Sequence, residues 1–350
     1  MRSPFAGSMV RLSRDAWERR DLDPILPRER KGRRMTVRKM FVTTMIVAAV
    51  LLACAALLLG AWAEEARGAF PGKNGRIIFN SFRDNQTGLF ALWPDGTDER
   101  LIVAEGVYAN YSPDGKKIVY SVDQGGPGND PDIFVANAGG AAPQNLTRSE
   151  AREQGGAFSP DGSQIVFSRR DASGNQDVWV MDADGTDQRR LTDNPGRDAS
   201  PSWSPDGSTI VFESERNGSN YDIWAVNPDG SNQRNLTSSP DRSDFQPSWS
   251  PDGSKIAFDT NQFGGDVWVM DADGTDQRNL TPTTVAGEYE PAWSPNGRKI
   301  AYARSSRIPG QKVDIYVMRA SDGLGRTNIT DTPASSEGGP DWQPILQATP

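Results

Sequence analysis

From residue 72 to residue 346 the apolar positions come in short runs of about four to six, β-branched or aromatic, each bounded by turn residues. Runs of that length and composition predict short β-strands. The unit from Pro201 is representative: Pro-Ser-Trp-Ser-Pro-Asp-Gly207, then Ser-Thr-Ile-Val-Phe212, a polar stretch, Asp222-Ile-Trp-Ala-Val226, Asn-Pro-Asp-Gly230, and a segment ending Asn235-Leu-Thr237. It predicts four strands joined up and down. Ser204-Pro205-Asp206-Gly207 suits a type I turn closing a bulged hairpin, because proline presets φ and glycine accepts a positive one. Asp184-Gly185, Asp229-Gly230, Asp273-Gly274 and Asp322-Gly323 predict the hairpin between third and fourth strands.

The unit recurs. An aromatic followed by Ser-Pro-(Asp or Asn)-Gly ends at Gly115, Gly162, Gly207, Gly253 and Gly297, and its prolines are spaced by 47, 45, 46 and 44 residues. A period of that size marks a repeat architecture. One four-stranded sheet cannot cover both of its apolar faces, so the units must pack face to face around an axis, as β-propeller blades do. Tyr111, Phe158, Trp203, Trp249, Trp293 and Trp342 share one place in the first strand. Phe90, Phe134, Trp179, Trp224, Trp268 and Tyr316 share one in the third, and both columns are expected to fill space between blades.

The count is six. The first unit starts near Asn74-Gly75 without an opening aromatic strand, and the chain finishes with an orphan Pro340-Asp-Trp342-Gln-Pro344 that matches one. The fold class expected is therefore all-β: a six-bladed β-propeller whose C-terminal strand completes the first blade, Trp342 beside Phe79. Such closure removes a free sheet edge.

These residues resemble the TolB-type propeller repeat, a relative of WD-repeat blades. The match is closest over residues 245–281, from Phe245-Gln-Pro-Ser-Trp-Ser-Pro-Asp-Gly through Asp266-Val-Trp-Val-Met to Leu280-Thr281. The resemblance covers about residues 72–346, and recurrence in register gives it a specificity that one copy would lack. TolB proteins carry an additional α/β domain ahead of their propeller, for which the interval between the apolar segment and Gly75 is too short.

Charge divides the chain differently. Residues 1–39 hold 12 of the 38 basic and 5 of the 46 acidic residues, which leaves 26 basic against 41 acidic in the remainder. An acidic propeller disfavours nucleic acid, whose phosphates need cationic patches. Residues 1–39 read as a disordered basic flank, or as sequence upstream of a start at Met35. Residues 40–63 are uncharged and end Ala61-Trp62-Ala63, which reads as an export signal; the run is also long enough to be an uncleaved anchor. Either way the propeller, joined by a linker at 64–71, is expected outside the cytoplasm, periplasmic, at the cell surface or membrane-anchored. The lone cysteine, Cys54, sits in the apolar run, so no disulfide can form within the propeller.

Histidine is absent from all 350 residues. Ser-His-Asp and Cys-His nucleophiles and His-ligated metals are thereby excluded. Carboxylates remain. Five residues before the first-strand aromatics stand Glu153, Asp198, Asp244, Glu288 and Glu337, with Gly106 at the sixth place. Together with Glu290 they are the candidate binding residues, a carboxylate ring at one mouth of the axial channel. Such a ring suits calcium, a hard cation with oxygen ligands. The expectation is instead that each acid bonds within its own loop, with no cofactor and no catalytic residue. A second set, Asp132, Asp177, Asp222, Asp266 and Asp314, opens the third strand and is expected to satisfy backbone there. The variable connections between second and third strands, with Arg169, Arg170, Arg216, Arg304 and Arg307 expected to project from them, form the candidate recognition face.

The function expected is a non-enzymatic, monomeric binding module for an envelope or secreted protein, a peptide, or an envelope component such as a cell-wall glycan, touching membrane only through residues 40–63 if these stay uncleaved. The alternative is a calcium-dependent hydrolase working through the carboxylate ring.

Overall fold

The computed structural model describes residues 70–346 except 84–85, 124–129, 219, 262–263, 284–285, 307–311 and 333–334. The basic flank, the apolar segment and residues 64–69 lie outside the described residues, and with them the expected signal or anchor helix. Among the described residues no helix is long and apolar enough to cross a membrane.

Twenty-four strands among the described residues form six antiparallel sheets of four. Blade 1 runs from axis to rim as β24 (Ser336–Ile345), β1 (Lys73–Arg83), β2 (Gln86–Leu92) and β3 (Arg100–Ala104). Blade 2 is β4 (Gly106–Tyr111), β5 (Lys117–Asp123), β6 (Pro131–Asn137) and β7 (Gln144–Asn145). Blade 3 is β8 (Arg152–Phe158), β9 (Gln164–Arg170), β10 (Gln176–Asp182) and β11 (Arg189–Arg190). Blade 4 is β12 (Asp198–Trp203), β13 (Ile210–Ser214), β14 (Asp222–Val226) and β15 (Arg234–Asn235). Blade 5 is β16 (Asp244–Trp249), β17 (Lys255–Thr260), β18 (Asp266–Asp271) and β19 (Arg278–Asn279). Blade 6 is β20 (Ala286–Trp293), β21 (Lys299–Ser306), β22 (Val313–Arg319) and β23 (Thr327–Asn328).

Closure is as the orphan segment implied: β24 pairs antiparallel with β1, setting Trp342 opposite Ile77. Trp342 is buried among Ile77, Phe79, Ala292 and Ile315, and its indole N–H donates to the Ala292 carbonyl at 3.1 Å.

The core is divided among the junctions. Each apolar cluster joins two neighbouring blades, and each contains the first-strand aromatic of the later one, from Tyr111 between blades 1 and 2 to Trp342 between blades 6 and 1. Burying one such side chain is worth roughly 1.5–3 kcal/mol, so area between blades is the main stabiliser. Phe70, ahead of the first strand, is buried in the cluster that holds Phe158.

The Ser-Pro-Asp-Gly turns lock that packing. Ser204 Oγ donates to Asp206 at 2.6 Å and accepts the Thr209 N–H at 2.9 Å, while Gly207 N–H donates to the Ser204 carbonyl at 2.9 Å. At the closing blade, Gln343-Pro344 takes the place of Ser-Pro. Gly115, at φ +67°, lies so close that a Cβ there would meet the Pro344 carbonyl oxygen at 2.1 Å, so only glycine fits.

Candidate functional site: the carboxylate ring and the loop face

Glu153, Asp198, Asp244, Glu288 and Glu337 do occupy one place, near the start of the innermost strand and opposite the end of the second. Their side chains are 0% exposed, and each is held by an arginine. The pairs are Glu153 with Arg169 at 2.8 Å, Asp198 with Arg216 at 2.6 Å, Asp244 with Arg242 at 2.7 Å, Glu288 with Arg304 at 3.1 Å and Glu337 with Arg83 at 3.0 Å. Each guanidinium lies over the third-strand aromatic of the same blade. The distances are 4.1 Å to Phe90, 4.4 Å to Trp179 and to Trp224, 4.3 Å to Trp268 and 5.0 Å to Tyr316.

Carboxylate, guanidinium and ring thus form a three-part latch in five blades. The arginine compensates a charge taken out of water, and the ring face attracts the arginine in turn. Blade 2 has Gly106 at the acid's place and Val122 opposite it, so it carries neither charge.

Three of the arginines expected to project from the loop face are instead folded back over the third-strand aromatics. Arg169, Arg216 and Arg304 are committed to the latches, Arg170 is half-buried, and Arg307 lies outside the described residues. Arg83 and Arg242 belong to the same machinery, although no sequence pattern singled them out.

Burial sets the protonation of the ring. It raises the carboxyls of Glu153, Asp198 and Asp244 above the usual range, with the adjacent arginines opposing it. Burial pushes Glu288 up to about 7, and the neighbouring Asp266 charge adds to the effect. Asp177 is pushed up to about 6 by burial, with Asp198 contributing.

Glu290 does different work. It sits at φ +58° in a β-bulge of the innermost strand, a bulge that recurs with positive φ at Tyr108, Gly155, Ser200, Gln246 and Gly339. The N–H at this place donates to a second-strand side chain of the preceding blade: Gly155 to Ser121 at 3.2 Å, Ser200 to Ser168 at 3.2 Å, Gln246 to Glu213 at 3.0 Å and Glu290 to Asp259 at 3.0 Å. Blade 6 has Ala303 at the acceptor's place, opposite Tyr289. There the Glu290 carboxylate itself accepts the Gly339 N–H and stitches the last blade to the closing strand.

The third-strand aspartates form a second repeated clamp. Asp222 accepts from Asn235 at 2.8 Å and from the Ser239 N–H at 2.9 Å, while Thr237 Oγ1 accepts the Ile223 N–H at 3.0 Å. The Asn-Leu-Thr triplets are the other half of this clamp, as Asn145 with Asp132 and Asn279 with Asp266 also show.

What the loop face offers to solvent is a different set of acids. Glu150, Asp193, Asp241 and Asp331 lie exposed on the connections between blades, on the same end as the second-to-third-strand loops. The Asp193 side chain is 85% exposed and that of Asp331 87%.

Six four-stranded blades with this turn and closure define a propeller of the TolB class. The sequence profile of the TolB beta propeller domain matches residues 155–346, more than half of the chain, and the chain belongs to that family. It is similar to the crystal structure of TolB from Acinetobacter baumannii, at 25% identity over 79% of this chain and 68% of that one, TM-score 0.66. A putative TolB from Agrobacterium tumefaciens matches at 21% identity over 75% of this chain and 91% of that one, TM-score 0.58. An oligogalacturonate lyase from Vibrio parahaemolyticus shares the fold at 14% identity over 76% of this chain and 77% of that one, TM-score 0.52. A lyase thus shares the fold with TolB, and function has to be argued from the site.

Proposed function

We propose that this chain is an exported, non-enzymatic binding module that recognises a basic protein or peptide of the envelope through its loop face. The observation that carries the reading is the commitment of the ring carboxylates to arginines inside the blades. A hydrolase working through that ring needs acids converging on an ion at about 2.3–2.6 Å; here each acid turns instead to its own arginine. Exposed acids on that face include Glu150, Asp193 beside Arg190, Asp241 and Asp331 beside Lys312, along with Glu105 and Asp171. Solvated acids on one rigid face steer and orient a cationic partner. Export rests on the uncharged residues 40–63 behind Arg38-Lys39.

The test is capture from an envelope extract by the full-length chain and by a variant with Glu150, Asp193, Asp241 and Asp331 changed to Lys. The wild type should retain a discrete protein that the variant loses, and salt raised to about 0.5 M should release it by screening. Equal capture by both proteins at equal thermal stability contradicts the loop face as the site.

A further inference from the structure

Three residues ahead of β1 meet the wheel at the end that carries the Ser-Pro-Asp-Gly turns, opposite the loop face. Phe70 is 5% exposed and lies at the junction of blades 2 and 3, in the cluster that holds Val119, Phe158 and Met181. Pro71 walls a cavity of about 490 Å³ bounded by the turns Ser204–Asp206 of blade 4 and Pro251–Gly253 of blade 5. Gly72 N–H donates to the Pro295 carbonyl, in the turn of blade 6, at 3.1 Å. Neighbouring Cα atoms stand about 3.8 Å apart, so three residues cover roughly 7 Å. A stretch that short meets blades 2 through 6 only where they converge, at the mouth of the axial channel.

The place that receives Phe70 differs from the other junctions. The first-strand aromatic is Trp203, Trp249, Trp293 or Trp342 in four blades and Tyr111 in blade 2, whereas blade 3 has Phe158, the smallest of the six. The turns are also farthest apart there. A Cβ on the turn glycine would stand 4.0 Å from the preceding blade's proline at Gly162, against 3.7 Å at Gly207 and Gly253 and 3.4 Å at Gly297. Among the members of the six apolar clusters, Phe70 alone comes from ahead of the first strand.

We infer that residues 70–72 are a detachable strap across the turn-side mouth of the channel, with Phe70 as its peg. The peg fills the volume that an indole fills at four other junctions, since interiors are packed without voids. Pro71 is exposed and Gly72 half-buried, so one buried ring and the Gly72 hydrogen bond hold the strap, whereas ring closure draws on the whole length of β24. An element held by fewer contacts opens at a lower free energy than the body it rests on. Seated, the strap leaves the channel open toward the loop face alone; released, it opens the turn-side mouth while the six blades stay joined. The inference rests on these contacts and is independent of the acids on the loop face.

The test is hydrogen exchange in the full-length chain, comparing the Gly72 amide with the Trp342 indole N–H, which reports closure through its bond to the Ala292 carbonyl. In the wild type, protection at Gly72 should be at least about tenfold lower than at the indole, because the strap opens without the wheel. A size swap then tests the peg. Phe70→Ala should lower the melting temperature by at least about 4 °C and cut protection at Gly72 at least about tenfold. Phe158→Trp should unseat the strap in the wild type, yet in the Phe70→Ala chain it should restore at least about half of the lost melting temperature, because the indole then fills the hole. Equal protection at Gly72 and the indole, Gly72 protection unaffected by Phe70→Ala, or additive effects of the two substitutions would each overturn the inference.

Discussion

Arg242 meets Asp244 at 2.7 Å from two residues earlier in the chain, whereas Arg169 reaches Glu153 from the directly opposite residue of the neighbouring strand. The same latch is thus reached by different routes: Arg304 also stands opposite its acid, Arg83 and Arg216 lie two residues beyond that place, and Arg242 approaches from the other side. Different routes to one arrangement identify the buried pair as what matters. Arg242→Met should cost about 3–5 kcal/mol in urea unfolding, because it leaves Asp244 charged and enclosed. The double variant with Asp244→Asn should cost much less than the sum of the singles, and strict additivity contradicts the latch.

Glu288 carries a pH signature. Its carboxyl titrates near 7 in the folded chain against 4.5 when unperturbed, so the native state holds the proton more readily. The stability it contributes is complete below about pH 4.5 and is lost as pH rises through about 7. Relative to Glu288→Gln, wild-type stability should therefore decline between about pH 4.5 and 8 by an amount on the order of 3 kcal/mol. Paired denaturation curves across that range check it, and a constant difference contradicts the raised value.

Closure makes its own demand. Trp342→Ala removes the ring that covers Ile77 and Phe79 and the donor to the Ala292 carbonyl. Loss of a large buried aromatic costs roughly 3–5 kcal/mol. Chemical denaturation should register it as one cooperative transition at lower denaturant, and a second transition would mean that the blades are not closed into one unit.

Blade 2 should open first. Without an acid at Gly106 or an arginine at Val122, its upper junction lacks the latch the other five share. Hydrogen exchange should be faster at Gly106 and Val122 than at Glu153 and Arg169, since local opening follows the weakest local contacts. The reverse order contradicts the stabilising role given to the latch.

Most of the fold was legible because it repeats. Turn residues, aromatic columns and the orphan strand at Trp342 each recur at fixed spacing, so strand order, blade number and closure follow from letters alone. The ring acids were equally visible, and so were hydroxyl partners in their own loops, such as Ser149 with Glu153, Ser239 with Asp244 and Thr332 with Glu337; their arginines were not. Arg83, Arg216 and Arg242 stand at no common offset from Glu337, Asp198 and Asp244: strand register brings the first two to their acids, while Arg242 reaches Asp244 from two residues earlier in the same segment. The bulges were hidden for another reason: Tyr108, Ser200, Gln246 and Glu290 adopt positive φ without being glycine, and tertiary hydrogen bonds fix them where local propensity gives no signal.

The central claim, that the ring carboxylates are internal latches closed to ligands, is tested most directly by a thermal melt of the full-length chain with millimolar calcium and without it. An ion that binds only the native state raises the melting temperature in proportion to RT ln(1 + [L]/Kd), so a site would be seen. The account predicts a change below about one degree. A saturable rise of several degrees that disappears in Glu288→Gln would contradict it and return the ring to the role of a metal site.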